Sequence, residues 1–111
     1  MTDFDAILRD AIAQLPDPFR RALEEDVRVE VRDRPTRKQL HSVGLADDEL
    51  LLGLYEGVPL TERSTHDSGR MPDVIYVFKE DLIDATDDDA QLEEEIRITL
   101  LHELGHYFGM D

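Results

Sequence analysis

Two histidines and a glutamate near the C-terminal end of the chain have the spacing of a metal site. The segment His102-Glu103-Leu104-Gly105-His106 matches the pattern H-E-x-x-H. On a helix, residues four apart differ by about 40° in direction and by one turn in height, so both imidazoles can bind one ion. Glu103 projects about 60° from His106, which lets it reach a water molecule on that ion but places it poorly as a third ligand. The spacing therefore predicts a metal held by His102 and His106, with Glu103 as the general base.

Zinc is the ion that this set of ligands favours, because catalytic zinc sites combine three nitrogen or carboxylate ligands with one water molecule. Manganese, cobalt and iron accept the same types of ligand and stay open as alternatives. Without a metal, the two histidines would be partly buried core residues and Glu103 a solvated charge. Burying these side chains would require a hydrogen-bond partner for each of them, whereas a metal satisfies both ring nitrogens at once.

A glycine three residues after His106 extends the pattern. With Gly109 the segment resembles the longer zincin motif H-E-x-x-H-x-x-G-x-x-(His or Asp), in which the glycine lets the chain leave the helix with a positive φ. The last position of that motif falls one residue beyond Asp111, the last residue of the sequence. We predict Asp111 as the third metal ligand, through its side chain or its terminal carboxylate. Solvent, a neighbouring chain or a continuation of the chain past Asp111 are the alternatives.

Composition limits the partners that such a site can have. The 111 residues fit one compact domain, spanning positions 1–111. Asp and Glu total 27 against 12 Lys and Arg, and the formal net charge of −15 repels nucleic acids and anionic lipids. The absence of cysteine excludes disulfides and thiolate metal sites. No basic leader and no apolar run of about 18 residues is present, so we expect a cytoplasmic protein, monomeric or weakly oligomeric.

Helical periodicity predicts the elements at both ends of the chain. An apolar stripe runs from Phe4 to Leu15, with Thr2 and Asp5 spaced as a capping box and Pro16 as the end of the helix. A second, short helix is predicted with Asp17 as N-cap and Pro18 as its first residue. Residues 89–108 form a long helix with a wide apolar face, and its final turns carry the H-E-x-x-H segment. This helix begins at three acidic residues, which favour the positive end of a helix: Asp87, Asp88 and Asp89.

Three segments have the pattern of strands. Valines alternate with charged residues from Val27 to Arg32, residues 50–55 form a second strand, and residues 74–78 are nearly all apolar, which predicts a central strand. A short helix is expected from Pro35 and Thr36 to about residue 42, with Gly44 as its end. Residues 56–72 are predicted to form a long loop. The predicted fold class is therefore α+β, with a sheet of three strands, or four, packed against an N-terminal helix and the C-terminal active-site helix.

Residues 52–63, 71–78 and 94–106 resemble the small bacterial zincin-like metallopeptidase family, whose members are minimal zincins. The resemblance covers nearly the whole chain, from the N-terminal helix to Asp111. It implies an α+β fold with a small sheet beside the active-site helix, and a zinc peptidase whose natural substrates are generally unassigned. It also implies that His102 and His106 bind the metal and that Glu103 is the general base.

The activity implied by this resemblance is hydrolysis of a peptide bond in a peptide or protein substrate. In larger zincins an edge strand pairs with the substrate, and residues 50–56 are the candidate here, although an edge strand without this role fits the pattern equally well. Tyr76 and Tyr107 are weighed as oxyanion donors against plain aromatic packing, which we favour. Three loop residues that could contact substrate also need no role beyond solvent exposure: Arg63, His66 and Arg70.

Two interpretations compete with a peptidase. One is a metal-binding or protein-interaction module that keeps the zincin scaffold without turnover, because a domain of this size leaves little wall for a deep specificity pocket. The other is a structural metal that ties the end of the chain to the sheet.

Overall fold

The computed structural model describes residues 2–62 and 73–110. Within these residues the chain forms a three-stranded mixed sheet with helices at both ends, which confirms the predicted α+β class. A fourth strand does not occur in the described part of the chain. The elements are α1 (Phe4–Ala13), α2 (Phe19–Glu25), β1 (Val27–Arg32), α3 (Arg37–Ser42), β2 (Gly53–Glu56), a short 3₁₀ helix (Leu60–Glu62), β3 (Asp73–Phe78), α4 (Lys79–Asp84) and α5 (Asp89–Phe108).

The strand β3 lies at the centre of the sheet, as its apolar sequence predicts. The strand order is β1-β3-β2, with β1 parallel and β2 antiparallel to β3. Five of the six β3 residues are buried, because both faces of the strand are covered. β2 is therefore an edge strand, and its register places Gly53 opposite Val77 and Tyr55 opposite Ile75. One long side of β2 is left without a strand partner, and α5 lies beside β2.

The core forms where α1 and α5 pack on one face of the sheet. Ile75 and Val77 of β3 are completely buried, and α5 contributes a buried residue at nearly every fourth position. Each such side chain stabilises the fold by about 1.5–3 kcal/mol relative to exposure. This packing fixes the rotation of α5 about its axis, because its apolar residues must face the sheet: Leu92, Ile96, Leu100 and Leu104.

Both N-terminal helices begin differently from the sequence prediction. The capping box of Thr2 and Asp5 is wrong: Asp3 is the N-cap of α1, and its carboxylate accepts from the Ala6 N–H at 3.1 Å. Thr2 instead donates to Asp89 at the start of α5, a partner that is close only in the tertiary structure. α2 starts one residue late, with Pro18 as an N-cap that makes no side-chain bond.

Two further differences concern the segments that flank β3. The strand predicted over residues 50–55 is observed as Gly53–Glu56, because the Leu51 N–H donates to the buried Asp81 carboxylate at 3.0 Å instead of to a strand. α4, which the sequence analysis does not predict, supplies that carboxylate. Its six residues are too few for a periodic pattern, and its N-cap Phe78 makes no side-chain cap bond.

The other predicted elements agree with the structure. β1 and α5 have the expected bounds, and α3 is opened by a capping box between Thr36 and Gln39 and followed by Gly44 at φ 80°. In the described residues no helix combines the length and the hydropathy that a bilayer span requires.

Candidate metal centre

The final turns of α5 place the two histidines and Glu103 beside the edge strand. Leu100 and Leu104 are completely buried, so the helix presents His102 and His106 to solvent on its opposite side and leaves Glu103 at the border with β2. The N-cap of α5 is Asp88, whose carboxylate accepts from the Gln91 N–H at 2.8 Å. The packing of α5 in the core and its capped N-terminus therefore set the direction in which His102, Glu103 and His106 project.

The spacing of the two imidazoles suits a tetrahedral ion. The Nε2 atoms of His102 and His106 lie 3.3 Å apart, and the ring planes are nearly perpendicular at 87°. Two nitrogens that each bind zinc at 2.0–2.1 Å with tetrahedral angles are separated by about 3.3–3.4 Å. The ligand atoms of His102, Glu103 and His106 all lie within 4.8 Å of one another. The residues present thus fit a divalent metal that favours nitrogen ligands.

The two oxygens of the Glu103 carboxylate have different surroundings. Its Oε1 accepts from the Tyr55 N–H at 2.8 Å, on the side of β2 that has no strand partner, while its Oε2 lies 3.9 Å from the Nε2 of His102. The residue is only 8% exposed. Burial raises the pKa of Glu103, whereas the Tyr55 N–H and the two histidines lower it by smaller amounts. One oxygen is therefore fixed to the strand, and the other faces the two histidines.

The close approach of β2 to α5 depends on a glycine. A Cβ at Gly53 would lie 2.5 Å from Cγ2 of Thr99 and 3.1 Å from the Tyr76 carbonyl oxygen. It would also lie 3.7 Å from Cγ of Glu103. Any larger residue would push the strand and helix apart, and that separation would lengthen the bond between Glu103 and Tyr55.

We expect Gly53→Ala to destabilise the protein by about 1–3 kcal/mol, because the added methyl overlaps Thr99 and the Tyr76 backbone. Urea unfolding measures the effect. The double variant Gly53→Ala/Thr99→Ser should recover part of the loss, since serine lacks the Cγ2 atom, with Thr99→Ser alone as the control. Equal stability of Gly53→Ala and the wild type would contradict the assigned contact.

A cavity of about 550 Å³ opens beside the three polar residues. Its wall includes Tyr55 and Gly57 from the β2 segment and Val43 and Leu45 from the residues after α3, and it also includes His102, Glu103 and His106. A small molecule or part of a peptide can therefore reach the faces of both histidines and the Oε2 side of Glu103.

The predicted third ligand, Asp111, lies outside the described residues, and its role stays a prediction. The structure describes the chain up to Met110, whose N–H donates to the Gly105 carbonyl at 2.7 Å. Gly109 ends the helix with φ 77°, as the motif predicts, and a Cβ there would lie 2.4 Å from Oγ1 of Thr61. The chain thus leaves α5 beside Thr61 of the 3₁₀ helix.

The two candidate oxyanion donors, Tyr76 and Tyr107, do not line the cavity. Tyr76 stacks on Phe78, with the Arg32 guanidinium 5.5 Å from its ring centre. Tyr107 is 2% exposed and contacts the rings of Tyr55 and Phe108. Both side chains pack against other aromatic rings, as the sequence analysis favours. Three predicted contacts lie outside the described residues: Arg63, His66 and Arg70.

The sequence analysis missed the Tyr55 N–H as the partner of Glu103. A backbone donor has no signature in side-chain types, so no motif could have indicated it. Gly53 was the available signal, because a glycine inside a strand often marks a close approach of another element.

Comparisons with known proteins give a family and a similar fold. A family model described as zincin-like metallopeptidase matches residues 24–111. A solved structure, a conserved hypothetical protein from Thermo thermophilus, is similar in fold, with a TM-score of 0.59 and 23% sequence identity over 96% of this chain and 91% of that one. No match was found among curated protein sequences.

Proposed function

Since the chain belongs to the zincin-like metallopeptidase family, we propose that it is a zinc-dependent peptidase in which His102 and His106 bind the metal and Glu103 is the general base. The observation that carries this proposal is the arrangement of Glu103. One of its oxygens is bound by the Tyr55 N–H, and the other faces two imidazole nitrogens that are separated by the edge length of a zinc tetrahedron.

The chain's own residues would divide the work of hydrolysis. A zinc ion held by His102 and His106 would supply a Lewis acid that polarises the scissile carbonyl and acidifies water. Glu103 Oε2 takes a proton from the attacking water and passes it to the leaving amine nitrogen. Burial raises the pKa of Glu103, which makes its carboxylate a stronger base toward the attacking water. The Tyr55 N–H keeps the carboxylate from rotating during both transfers.

The position of β2 supports the predicted path of the substrate. β2 is an edge strand, and Gly53, Leu54 and Tyr55 line the cavity. An extended peptide that binds in this cavity along β2 would pass the histidines. We further propose that the substrate is a peptide or protein and that the location is cytoplasmic, as predicted from the sequence. We also propose that the protein is monomeric or weakly oligomeric, without nucleic-acid or membrane partners.

A metal-binding or interaction module without turnover is the second candidate. It is favoured by the exposure of both histidines and by the fact that, among residues 2–62 and 73–110, only Glu103 offers a third ligand beside them. In that case Glu103 would complete the ligand set instead of activating water. A structural metal is the third interpretation, and it would hold the end of α5 in place.

Zinc titration followed by chelation tests the proposal. We expect binding of about one zinc ion per chain, and loss of peptide hydrolysis on chelation with recovery on adding zinc. Elemental analysis of untagged protein and cleavage of a mixed peptide library provide the two readouts. Removing zinc by chelation should change the melting temperature only slightly, because Leu100 and Leu104 hold α5 in the core without a metal.

Other results would contradict the proposed peptidase function. Hydrolysis that persists after chelation, or a zinc stoichiometry far below one per chain at saturation, overturns it. A fall in melting temperature by many degrees on chelation, without any turnover, would indicate a structural metal instead.

A further inference from the structure

The contact between α5 and β2 forms the floor of a groove, and two cavities lie at its opposite ends. The two elements run in the same direction, since Gly53 abuts Thr99 and, further along both, the Tyr55 N–H donates to Glu103. The larger cavity, about 550 Å³, extends toward His106, and the smaller one, about 300 Å³, extends toward the start of α5. The residues that line both cavities are Leu51, Gly53, His102 and Glu103. The reactive groups therefore sit between two places where substrate side chains can bind.

The larger cavity has a mainly apolar wall. Leucines from the segment around the start of β2 face residues that follow α3, and one of these, Val43, is 44% exposed although it is a large aliphatic residue. An apolar side chain bound there would cover this surface and gain the usual hydrophobic free energy. The cavity has room for a large aliphatic or aromatic side chain together with neighbouring peptide backbone. The apolar wall consists of Val43, Leu45, Leu51, Leu54 and Pro59.

Besides His102 and Glu103, the smaller cavity combines apolar walls with the carboxylate of Glu95. Ile98 is 49% exposed and lies beside Leu52, while Glu95 borders the same cavity one turn earlier on α5. No Lys or Arg within residues 2–62 and 73–110 forms an ion pair with Glu95, and the nearby Arg97 bonds to Gln14, the C-cap of α1. A long side chain with a hydrocarbon stem and a cationic tip matches this pair of features, because its stem can cover Ile98 while its charge meets Glu95.

The distance along the helix sets the spacing of the two substrate residues. Glu95 is seven residues before His102, which is about 10 Å along the helix axis. An extended peptide advances about 3.3 Å per residue, so Glu95 lies about three substrate residues from the metal site. The formal net charge of −15 acts in the same direction, since it attracts cationic peptides and repels acidic ones.

We propose that this groove selects peptides with a large apolar residue next to the scissile bond and a Lys or Arg about three positions away, on the side of Glu95. This inference rests on the proposed peptidase function. The apolar residue occupies the cavity lined by Val43 and Leu45. The cationic residue lies over Ile98 and pairs with Glu95. Substrate choice thus depends on residues on both sides of Glu103.

Peptide binding to zinc-loaded Glu103→Gln tests this selectivity without requiring turnover. The probes are fluorescein-labelled octapeptides of Gly and Ala with a Leu and an Arg three positions apart, in both orders. In the order that binds better, Leu→Ala should weaken binding about tenfold, and Arg→Ala about two- to fivefold. Arg→Glu should weaken binding further, and the effect of the Arg should fade as salt is raised.

A second experiment reverses the charge at position 95 in the Glu103→Gln variant. Glu95→Lys should remove the preference for peptides with Arg over peptides with Ala at that position. Peptides with Leu should still bind about tenfold more tightly than peptides with Ala in its place. Glu94→Lys is the matched control: it changes the net charge by the same amount, but Glu94 is exposed and lines neither cavity. Equal effects of Glu94→Lys and Glu95→Lys would overturn the proposal, because net charge alone would then explain binding. Equal affinity for all peptides would overturn it too.

These outcomes are separable from failure of the proposed function. Wild-type protein that binds the Leu–Arg peptide selectively but cleaves no peptide would support the groove and contradict the peptidase. Cleavage of many peptides without a preference at either position would support the peptidase and overturn the selectivity.

Discussion

Replacing Glu103 by Gln is expected to lower the rate of peptide hydrolysis by about 10²- to 10⁴-fold, while zinc still binds. Gln keeps the oxygen that accepts from the Tyr55 N–H, so the side chain should stay in place. It replaces the Oε2 that faces the histidines by an amide that cannot take up a proton. The loss should therefore appear in catalysis and not in folding or in metal content.

Three measurements define this result: kcat/KM on a cleaved peptide, the zinc content, and the melting temperature. Glu94→Gln is the matched control, because it removes a carboxylate from a nearby, exposed position of α5. It should leave all three values near those of the wild type. A Glu103→Gln variant of unchanged rate would eliminate Glu103 as the base. A variant that loses zinc would show that Glu103 is a metal ligand, as the non-catalytic interpretation requires.

Replacing His106 or His102 by Ala is expected to weaken zinc binding by more than about 100-fold. Loss of groups that only support a ligand commonly costs 10- to 100-fold, so loss of a ligand itself should cost more. Both histidines are exposed, and their nitrogens contact each other instead of the core. The zinc-free variants should therefore melt within a few degrees of the zinc-free wild type.

Competition with a chromophoric zinc chelator measures the affinity, and His41→Ala provides the control. His41 lies on α3, pairs with Asp47 at 2.7 Å and lines neither cavity of the groove. Its loss should leave zinc binding unchanged. If the His106 and His102 variants bound zinc as tightly as the wild type, the ion would have to be held elsewhere, and the assignment of the centre would fail.

Where local rules suffice, sequence and structure agree. The apolar spacing over α5 predicts its bounds and its buried face, because in a helix each side chain's direction follows from its position in the chain. The two histidines meet for the same reason, since one turn of helix fixes their separation. The central position of β3 follows from its unbroken apolar sequence. The caps of α1 and α2 and the six-residue α4 are not predicted, because short elements draw their stability from tertiary partners.

The sequence by itself determined the identity and mutual spacing of the two imidazoles and the acid beside them, since a single helix encodes all three. Only the tertiary structure decided how that acid is oriented. The Tyr55 N–H that holds Glu103 is 48 residues away along the chain, and it arrives there because Gly53 lets an edge strand lie directly against α5. Backbone amides are the same in every residue except proline, so which of them meets a given carboxylate depends on how the elements pack and not on any local pattern.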